Sequence, residues 1–290
     1  MSTILIIAVI LLYSFQTLFC KMFTDRYPGK TEQASSVFCV LESAFIFLFT
    51  WAWRGFQFQA DGLTMVLGIG NAVVLWGYNT FLIKASAKGS YAFLNVMMLF
   101  GGILVPILYN TFVLGDSLEV YQIAAIGLML LACLLMNLKE IRLKGTALVY
   151  YVFCGLLFLF NGLYGVMLKL QADHNDAQSG EMIMLTFGIM GMIALGQLVL
   201  QERKNTMSAF KMNRKSVLPL VVCLLCAGLA INALVLVLPM VNASVFYTVE
   251  NGGVLLLSAL YSVFLFREKP TVSSVLGMIL AIFSITILSI

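Results

Sequence analysis

Along this chain, apolar runs of roughly 18–24 residues alternate with short polar breaks, and that is the length a helix needs to cross a bilayer. Ten runs can be drawn, at about 3–20, 34–53, 63–84, 90–113, 119–137, 146–168, 181–200, 216–238, 242–265 and 271–289. With 290 residues to hold them, no room is left for a domain outside the membrane. Backbone in hydrocarbon must satisfy its own hydrogen bonds, so the pattern predicts an all-α membrane protein. The first run starts at Thr3 without a basic segment before it and ends in "FCKMFTDRY", which lacks a small-residue cleavage site. It therefore reads as the first span and not as a signal peptide. Composition agrees: 61% of residues are apolar and 10% charged, against about half and about a quarter in soluble domains.

Charge adds an orientation. Lys21, Arg26 and Lys30 follow the first span, Lys84 and Lys88 the third, and Lys139, Arg142 and Lys144 the fifth. Arg203, Lys204, Lys211, Arg214 and Lys215 follow the seventh, and Arg267 and Lys269 the ninth. Only Arg54 and Lys169 fall after even-numbered spans. The excess of Lys and Arg on the cytoplasmic side then predicts a multi-pass protein of the plasma membrane with both termini outside. The net charge of +4 is a topology signal, and no nucleic-acid partner is expected. The segment "QERKNTMSAFKMNRK" is expected to lie on the anionic cytoplasmic lipid surface, and Lys84 and Lys169 to snorkel toward headgroups.

The chemistry-bearing residues exclude several classes. "CLLC" at 223–226 has the spacing of a metal or redox pair, but it lies within an apolar run with no histidine near it. His174 is the one histidine and falls in a polar loop, where a solvated role is expected. No zinc set and no nucleophile–base set can be assembled. No Gly-Lys-Ser/Thr phosphate loop occurs either, so ATP hydrolysis is not expected. The expectation is a non-enzyme without cofactor or metal.

Two carboxylates stand out instead. Glu250, in "VFYTVENGGVLLL", and Glu42, in "CVLESAFIFLF", each fall near the middle of a run. A charge at the centre of a transmembrane helix costs on the order of 2.5–3.5 kcal/mol on insertion scales, so the first reading of such a residue is functional. A carboxyl group there can take up and release a proton near pH 7 or hold a cation. The bland alternative is a neutral acid hydrogen-bonded to a neighbouring helix. Gly252 and Gly253 follow Glu250, either to let the helix bend or to let a neighbour approach closely.

The two halves also resemble each other. "AFLNVMMLFGGILVPILYNTFVLGDSLEVYQIAAIGLMLLACLLM" and "VFYTVENGGVLLLSALYSVFLFREKPTVSSVLGMILAIFSITILS" both carry a Gly-Gly pair, Gly101-Gly102 and Gly252-Gly253. Each pair is followed by an acidic loop (Asp116 and Glu119; Glu268) and then by Gly127 or Gly277 inside a last apolar span. A five-span unit is odd in number, so its second copy must enter the membrane upside down. The expected organisation is one membrane domain of two inverted five-helix repeats, 1–140 and 141–290, an architecture shared by secondary transporters.

On these residues the chain resembles the EamA-type members of the drug/metabolite transporter superfamily. The ending "FLFREKPTVSSVLGMILAIFSITIL" is similar to the end of that family, with its aromatic-x-Glu-Lys loop, a following Gly and a short terminal helix. The first-half counterpart offers Asp116 and Glu119 without the following Lys. The resemblance implies an alternating-access carrier in which spans three, four, eight and nine surround a central cavity. Spans one, two, six and seven would move as gates, and five and ten would pack at the ends. The proline usual in the family's fourth span is Pro106, and the ninth span has none.

Polar side chains fall on the spans to which the resemblance assigns the cavity. They are Asn71, Trp76, Tyr78 and Asn79 on the third, Tyr91 and Asn95 on the fourth, and Asn161 and Tyr164 on the sixth. Asn232 falls on the eighth and Tyr247 and Asn251 on the ninth, while Tyr13 and Gln16 lie on the first. Helical spacing puts Tyr91, Asn95 and Met98 on one face, and Tyr247, Glu250 and Asn251 on another. Aromatic rings with one or two acids suit an organic cation, and isolated Tyr and Trp equally suit a membrane interface. The sequence thus predicts a secondary carrier of a small metabolite, a cation or zwitterion, with proton coupling through Glu250 and Glu42. Export of amino acids or drugs without strict coupling is a second reading, and a non-transporting scaffold or lipid-handling subunit a third. Gly277 and Ala281 form a small-residue face that suits a homodimer or packing within the chain.

Overall fold

The structure, a computed structural model, describes residues 2–29, 31–86, 91–115, 117–138, 148–202, 206–264 and 270–288. The expected loop residues Asp116, Arg267, Glu268 and Lys269 lie outside the described residues, as do Lys30, Lys88, Lys139, Arg142, Lys144, Arg203 and Lys204. The described residues are helical throughout, apart from short connections. The order is α1 (Ser2–Arg26), α2 (Thr31–Trp53), α3 (Gly62–Ser86), α4 (Tyr91–Tyr109), α5 (Val120–Asn137) and α6 (Leu148–Asn175). Then come α7 (Ser179–Glu202), the single turn α8 (Thr206–Ala209), α9 (Arg214–Val237), α10 (Ala243–Phe264) and α11 (Val272–Leu288).

Six segments among the described residues are long and apolar enough to cross a membrane. They are Thr3–Arg26, Ser36–Trp53, Gly62–Leu82, Val96–Leu114, Leu148–Leu200 and Arg214–Met240. Val120–Met136 and Val272–Leu288 are shorter apolar helices. A soluble fold would bury its apolar face, yet here Ile4, Val66, Phe112, Leu200 and Phe283 are all exposed, as lipid-facing residues are.

The helix ends follow local chemistry. The Asp61 carboxylate accepts the Thr64 N–H at 2.7 Å and opens α3. Glu119 and Gln122 form a reciprocal capping box on α5, and Asn213 accepts the Ser216 N–H at 2.8 Å to open α9. Asn242 does the same for α10 through the Ser244 N–H at 2.9 Å. Each cap satisfies a donor that has no partner inside the helix. Pro106 inside α4 has no N–H to give to the Gly102 carbonyl. One turn later the helix widens into a π turn, Asn110–Leu114, which stops at Gly115 in the left-handed conformation, φ 74°.

The chain forms two compact units. The first comprises Thr3–Trp76 and Leu170–Pro239, the second Gly77–Lys169 and Met240–Ile290. Each unit takes segments from both halves of the sequence, and the divisions fall inside α3 and α6. In the first unit α2 packs along α7 and α9. Small residues allow this: Gly188 lies against Phe47, Gly191 against Ser43, and Gly228 against Phe45 and Phe49. Phe23, Tyr27, Ala34, Leu220 and Leu224 form a core joining α1, α2 and α9. In the second unit α5 packs along α11, and α4 along α10, around Ile103, Ile107, Ile126, Met129, Cys133 and Ala281. A methyl group at Gly277 would stand 2.5 Å from Met136 Cγ and 2.9 Å from the Ala132 carbonyl. The small face of α11 is therefore occupied by α5 of the same chain.

Candidate functional site

In the second unit, the residues around Glu250 form a connected polar seam. Glu250 is half-buried in the first half of α10. The Asn251 amide donates to Glu250 Oε2 at 3.0 Å and to the Tyr247 carbonyl at 2.8 Å. The buried Tyr247 hydroxyl donates to the Gly165 carbonyl on α6 at 2.8 Å. Tyr164, one residue before it, and Glu250 both lie within electrostatic reach of that hydroxyl. On the α4 side, the Asn161 amide donates to the Met98 carbonyl at 2.8 Å, and the Tyr78 hydroxyl meets Met98 Sδ at 3.6 Å. Gly102 ties the two together: a Cβ there would be 2.8 Å from Asn161 Nδ2 and 3.1 Å from Asn251 Oδ1.

The expected residues Glu250, Asn251, Tyr247, Asn161, Tyr164 and Tyr78 thus belong to one unit, and half-buried Asn79 belongs to it too. Tyr91 and Asn95 sit on α4 by their backbones, while their side chains lie outside the described residues. The glycines make close packing possible here. A Cβ at Gly101 would fall 2.0 Å from the Phe158 carbonyl oxygen, and one at Gly252 would fall 2.1 Å from Met129 Cε. Of the two readings of the Gly pairs, close approach is the one the structure realises at both positions.

The first unit holds the other acid. Glu42 is buried on α2, and the Gln16 amide of α1 donates to its Oε1 at 3.0 Å. The Cys223 thiol donates to the Gln16 carbonyl at 3.3 Å, which brings α9 to the same place. Tyr13 is half-buried one turn before Gln16. The Trp76 indole N–H donates to Gln197 Oε1 on α7 at 3.4 Å. Asn71 and Asn232, expected near a cavity, each make a hydrogen bond to a neighbouring helix. Asn71 bonds Thr186 at 3.5 Å, and Asn232 bonds Thr50 at 3.0 Å and the Gly228 carbonyl at 2.8 Å. An apolar cavity of about 370 Å³ in this unit is lined by Phe47, Trp51, Met184, Leu185 and Met192. None of the expected site residues lines it.

The sequence reading missed a charged corner. Arg54 at the end of α2 pairs with Glu181 of α7 at 3.0 Å and also donates to the Ala177 carbonyl. His174 is not merely solvated, since its Nε2 lies 3.0 Å from Asp61 Oδ2. Gln178 Oε1 accepts from the Asp61 N–H at 2.8 Å and the Thr64 hydroxyl at 3.0 Å. The Asp61 carboxyl is held down to about 2, chiefly by the Thr64 N–H and secondarily by the His174 ring. The signal in the sequence was the isolation of Arg54 and the acids between α6 and α7 in otherwise apolar surroundings. Among the described residues no group of three or more His, Cys, Asp or Glu side chains is placed to hold a metal ion.

No family model matches the sequence, and no match is found among curated proteins. A protein known from a crystal structure is similar in fold, with a TM-score of 0.77 at 15% identity. The match covers 100% of this chain and 98% of the other, so the whole helical arrangement is one that a second protein adopts.

Proposed function

We propose that the protein is a ten-span secondary carrier built from two inverted five-helix repeats, moving a small cationic or zwitterionic metabolite by alternating access. The observation that carries this reading is the half-buried Glu250, in the middle of an apolar run and joined to Asn251, with Asn161, Tyr247 and Tyr164 beside it. An acid that is partly open and flanked by amides and phenols can meet a cation or a proton. A purely structural glutamate gains most from full burial with its hydrogen bonds made. The resemblance to EamA-type transporters supports the same reading.

The internal pairing of helices supports the repeat. Within the first unit α2 packs on α7, and within the second α4 packs on α10 and α5 on α11. In span order these are two with seven, four with nine, and five with ten, each a first-half helix against its second-half counterpart. A two-fold axis in the membrane plane produces such pairing. The bracing repeats it: Gly68 and Asn71 of α3 lie on α7, and Gly228 and Asn232 of α9 lie on α2. On this reading the protein lies in the plasma membrane with both termini outside, and Glu250 and Glu42 couple proton movement to transport.

The test is uptake into proteoliposomes with a panel of quaternary amines, polyamines and amino acids, with and without a pH gradient. Gradient-driven uptake of one of these solutes is expected, and it is lost in Glu250→Gln with the fold intact. Uptake indifferent to the gradient leaves uncoupled export as the better description. Failure of every solute to move in either direction favours a scaffold.

A further inference from the structure

The apolar cavity of about 370 Å³ has a charged corner at one end. Phe47 and Trp51 of α2, Met184, Leu185 and Met192 of α7, and Phe58 of the connection to α3 line it. Arg54 follows Trp51 by three residues, and its N–H donates to the Thr50 carbonyl, so it continues the turn of α2. Glu181 precedes Met184 by three residues on α7. Residues three apart share a helix face. The Arg54–Glu181 pair, 3.0 Å apart, therefore sits one turn beyond the cavity on both walls. Trp51, Phe58 and Met192 are exposed, so the cavity is open on the apolar outer face. The backbone is bent to build this wall. Gly55 and Phe56 are both left-handed, φ 65° and 62°, which is uncommon for a bulky residue. The Phe56 N–H turns back to the Trp51 carbonyl at 2.9 Å, and its ring meets Trp51 edge-on at 5.3 Å.

At the corner, Arg54 uses Nη2 for both Glu181 and the Ala177 carbonyl, and its side chain is 37% exposed. Gln178, the next residue, accepts the Asp61 N–H at 2.8 Å, so Asp61 borders the same turn. Asp176 is exposed in that turn. Asp61, Asp176 and Glu181 outnumber Arg54 and His174 there.

We propose that this site holds one zwitterionic phospholipid, with an acyl chain in the cavity and the headgroup on the corner. A cavity lined by apolar groups stays dry and takes apolar guests, and this one has the size of a ligand pocket, about 300–1,000 Å³. A long basic side chain at a helix end reaches headgroup level. The phosphate meets the open edge of the Arg54 guanidinium, and the ammonium meets the Asp61 and Asp176 carboxylates. An anionic headgroup lacks that second contact and meets the excess of acid. The site shares no residue with the seam around Glu250 and stands independently of any transport activity.

The experiment uses the full chain in detergent with Trp51 as its only tryptophan, through Trp53→Phe and Trp76→Phe. Phosphatidylcholine brominated on its acyl chains is added and Trp51 fluorescence is followed. Quenching is expected to reach a plateau near one equivalent, and brominated phosphatidylglycerol should need several-fold more. Phe58→Glu, at an exposed position outside the helices, puts a charge in the path of the chain and should abolish the plateau. Ile189→Phe, which fills the cavity, should do the same, and circular dichroism reports whether each variant folds. Quenching that rises without saturating, a plateau retained in folded Phe58→Glu, or equal quenching by the two lipids would each overturn the proposal.

Discussion

Gly102 on α4 and Asn251 on α10 are in direct contact: a single added carbon on the glycine would stand 3.1 Å from the Asn251 amide oxygen. The same carbon would stand 2.8 Å from the Asn161 amide nitrogen. Both neighbours are ends of side chains that can turn aside. At the adjoining Gly101 the obstacle is backbone, the Phe158 carbonyl at 2.0 Å. The two glycines should therefore respond differently to alanine. Gly102→Ala is expected to fold and to displace the two amides, with a loss of stability near the low end of about 1–3 kcal/mol. Gly101→Ala must separate α4 from α6 and should cost as much as the top of that range or more. Thermal unfolding followed by tryptophan fluorescence separates them, and equal melting losses would contradict the packing argument.

Glu42 and Gln16 supply the second prediction. The Gln16 amide donates to the buried carboxyl at 3.0 Å. Removing that donor leaves a polar group in a dry place, which costs about 1–3 kcal/mol. Gln16→Leu should therefore destabilise the protein by this amount, and adding Glu42→Leu to it should recover most of the loss. Recovery in the double variant, read as the melting temperature, is the decisive quantity. Without it, the two side chains are not energetically joined.

The elements were legible because lipid imposes a length, but the run of apolar residues marks lipid and not the end of the helix. The first run was expected to stop near 20 and α1 continues to Arg26. The sixth was expected to stop near 168 and α6 continues through "LQADHN" to Asn175. Polar residues in water do not end a helix unless a cap or a breaker does. Glu250 and its neighbours on α10 were legible because i, i+3 and i+4 spacing sets one helix face. Contacts between helices were not: nothing in the sequence brings Gly101 to Phe158, or Arg54 to Glu181. A polar residue in an apolar run predicts a partner, and Asn71 and Asn232 find hydrogen-bond partners in Thr186 and Thr50 on neighbouring helices.

Asp61 makes the corner joining α3 and α6 sensitive to acid. Its carboxyl titrates at about 2 in the folded protein, below its ordinary 3.8, because the ionised form accepts the Thr64 N–H and meets the His174 ring. A depressed value means that the ionised acid favours the folded state. That contribution is complete above the ordinary 3.8 and is lost as pH falls from there through about 2. Asp61→Ala should loosen the start of α3 at pH 7, seen as faster amide exchange at Thr64 and Met65. The difference from the wild type should narrow steadily between pH 4 and pH 2. A difference that persists undiminished at pH 2 would assign the effect to something other than ionisation.

Arg54 and Glu181 give the last prediction, an asymmetry. Their contact is 3.0 Å, but the Arg54 side chain is 37% exposed and that of Glu181 only 3%. Glu181 Oε2 is buried without a hydrogen-bond partner, so the carboxylate relies on Arg54. Arg54→Ala leaves a buried carboxylate to find water or a proton and should cost about 1–3 kcal/mol, the usual range for a buried group stripped of its partner. Glu181→Gln leaves an arginine that can swing its head into water, and should cost less than about 1 kcal/mol, as for a partly solvated pair. In the double variant most of the arginine's loss should be restored, because the glutamine no longer carries the charge that needed it. Denaturant midpoints for the four proteins test this, and equal losses from the two single replacements would show that Glu181 is not the dependent partner. The same relation explains why a lone arginine persists after an even-numbered span: it neutralises one acid in the first turn of α7.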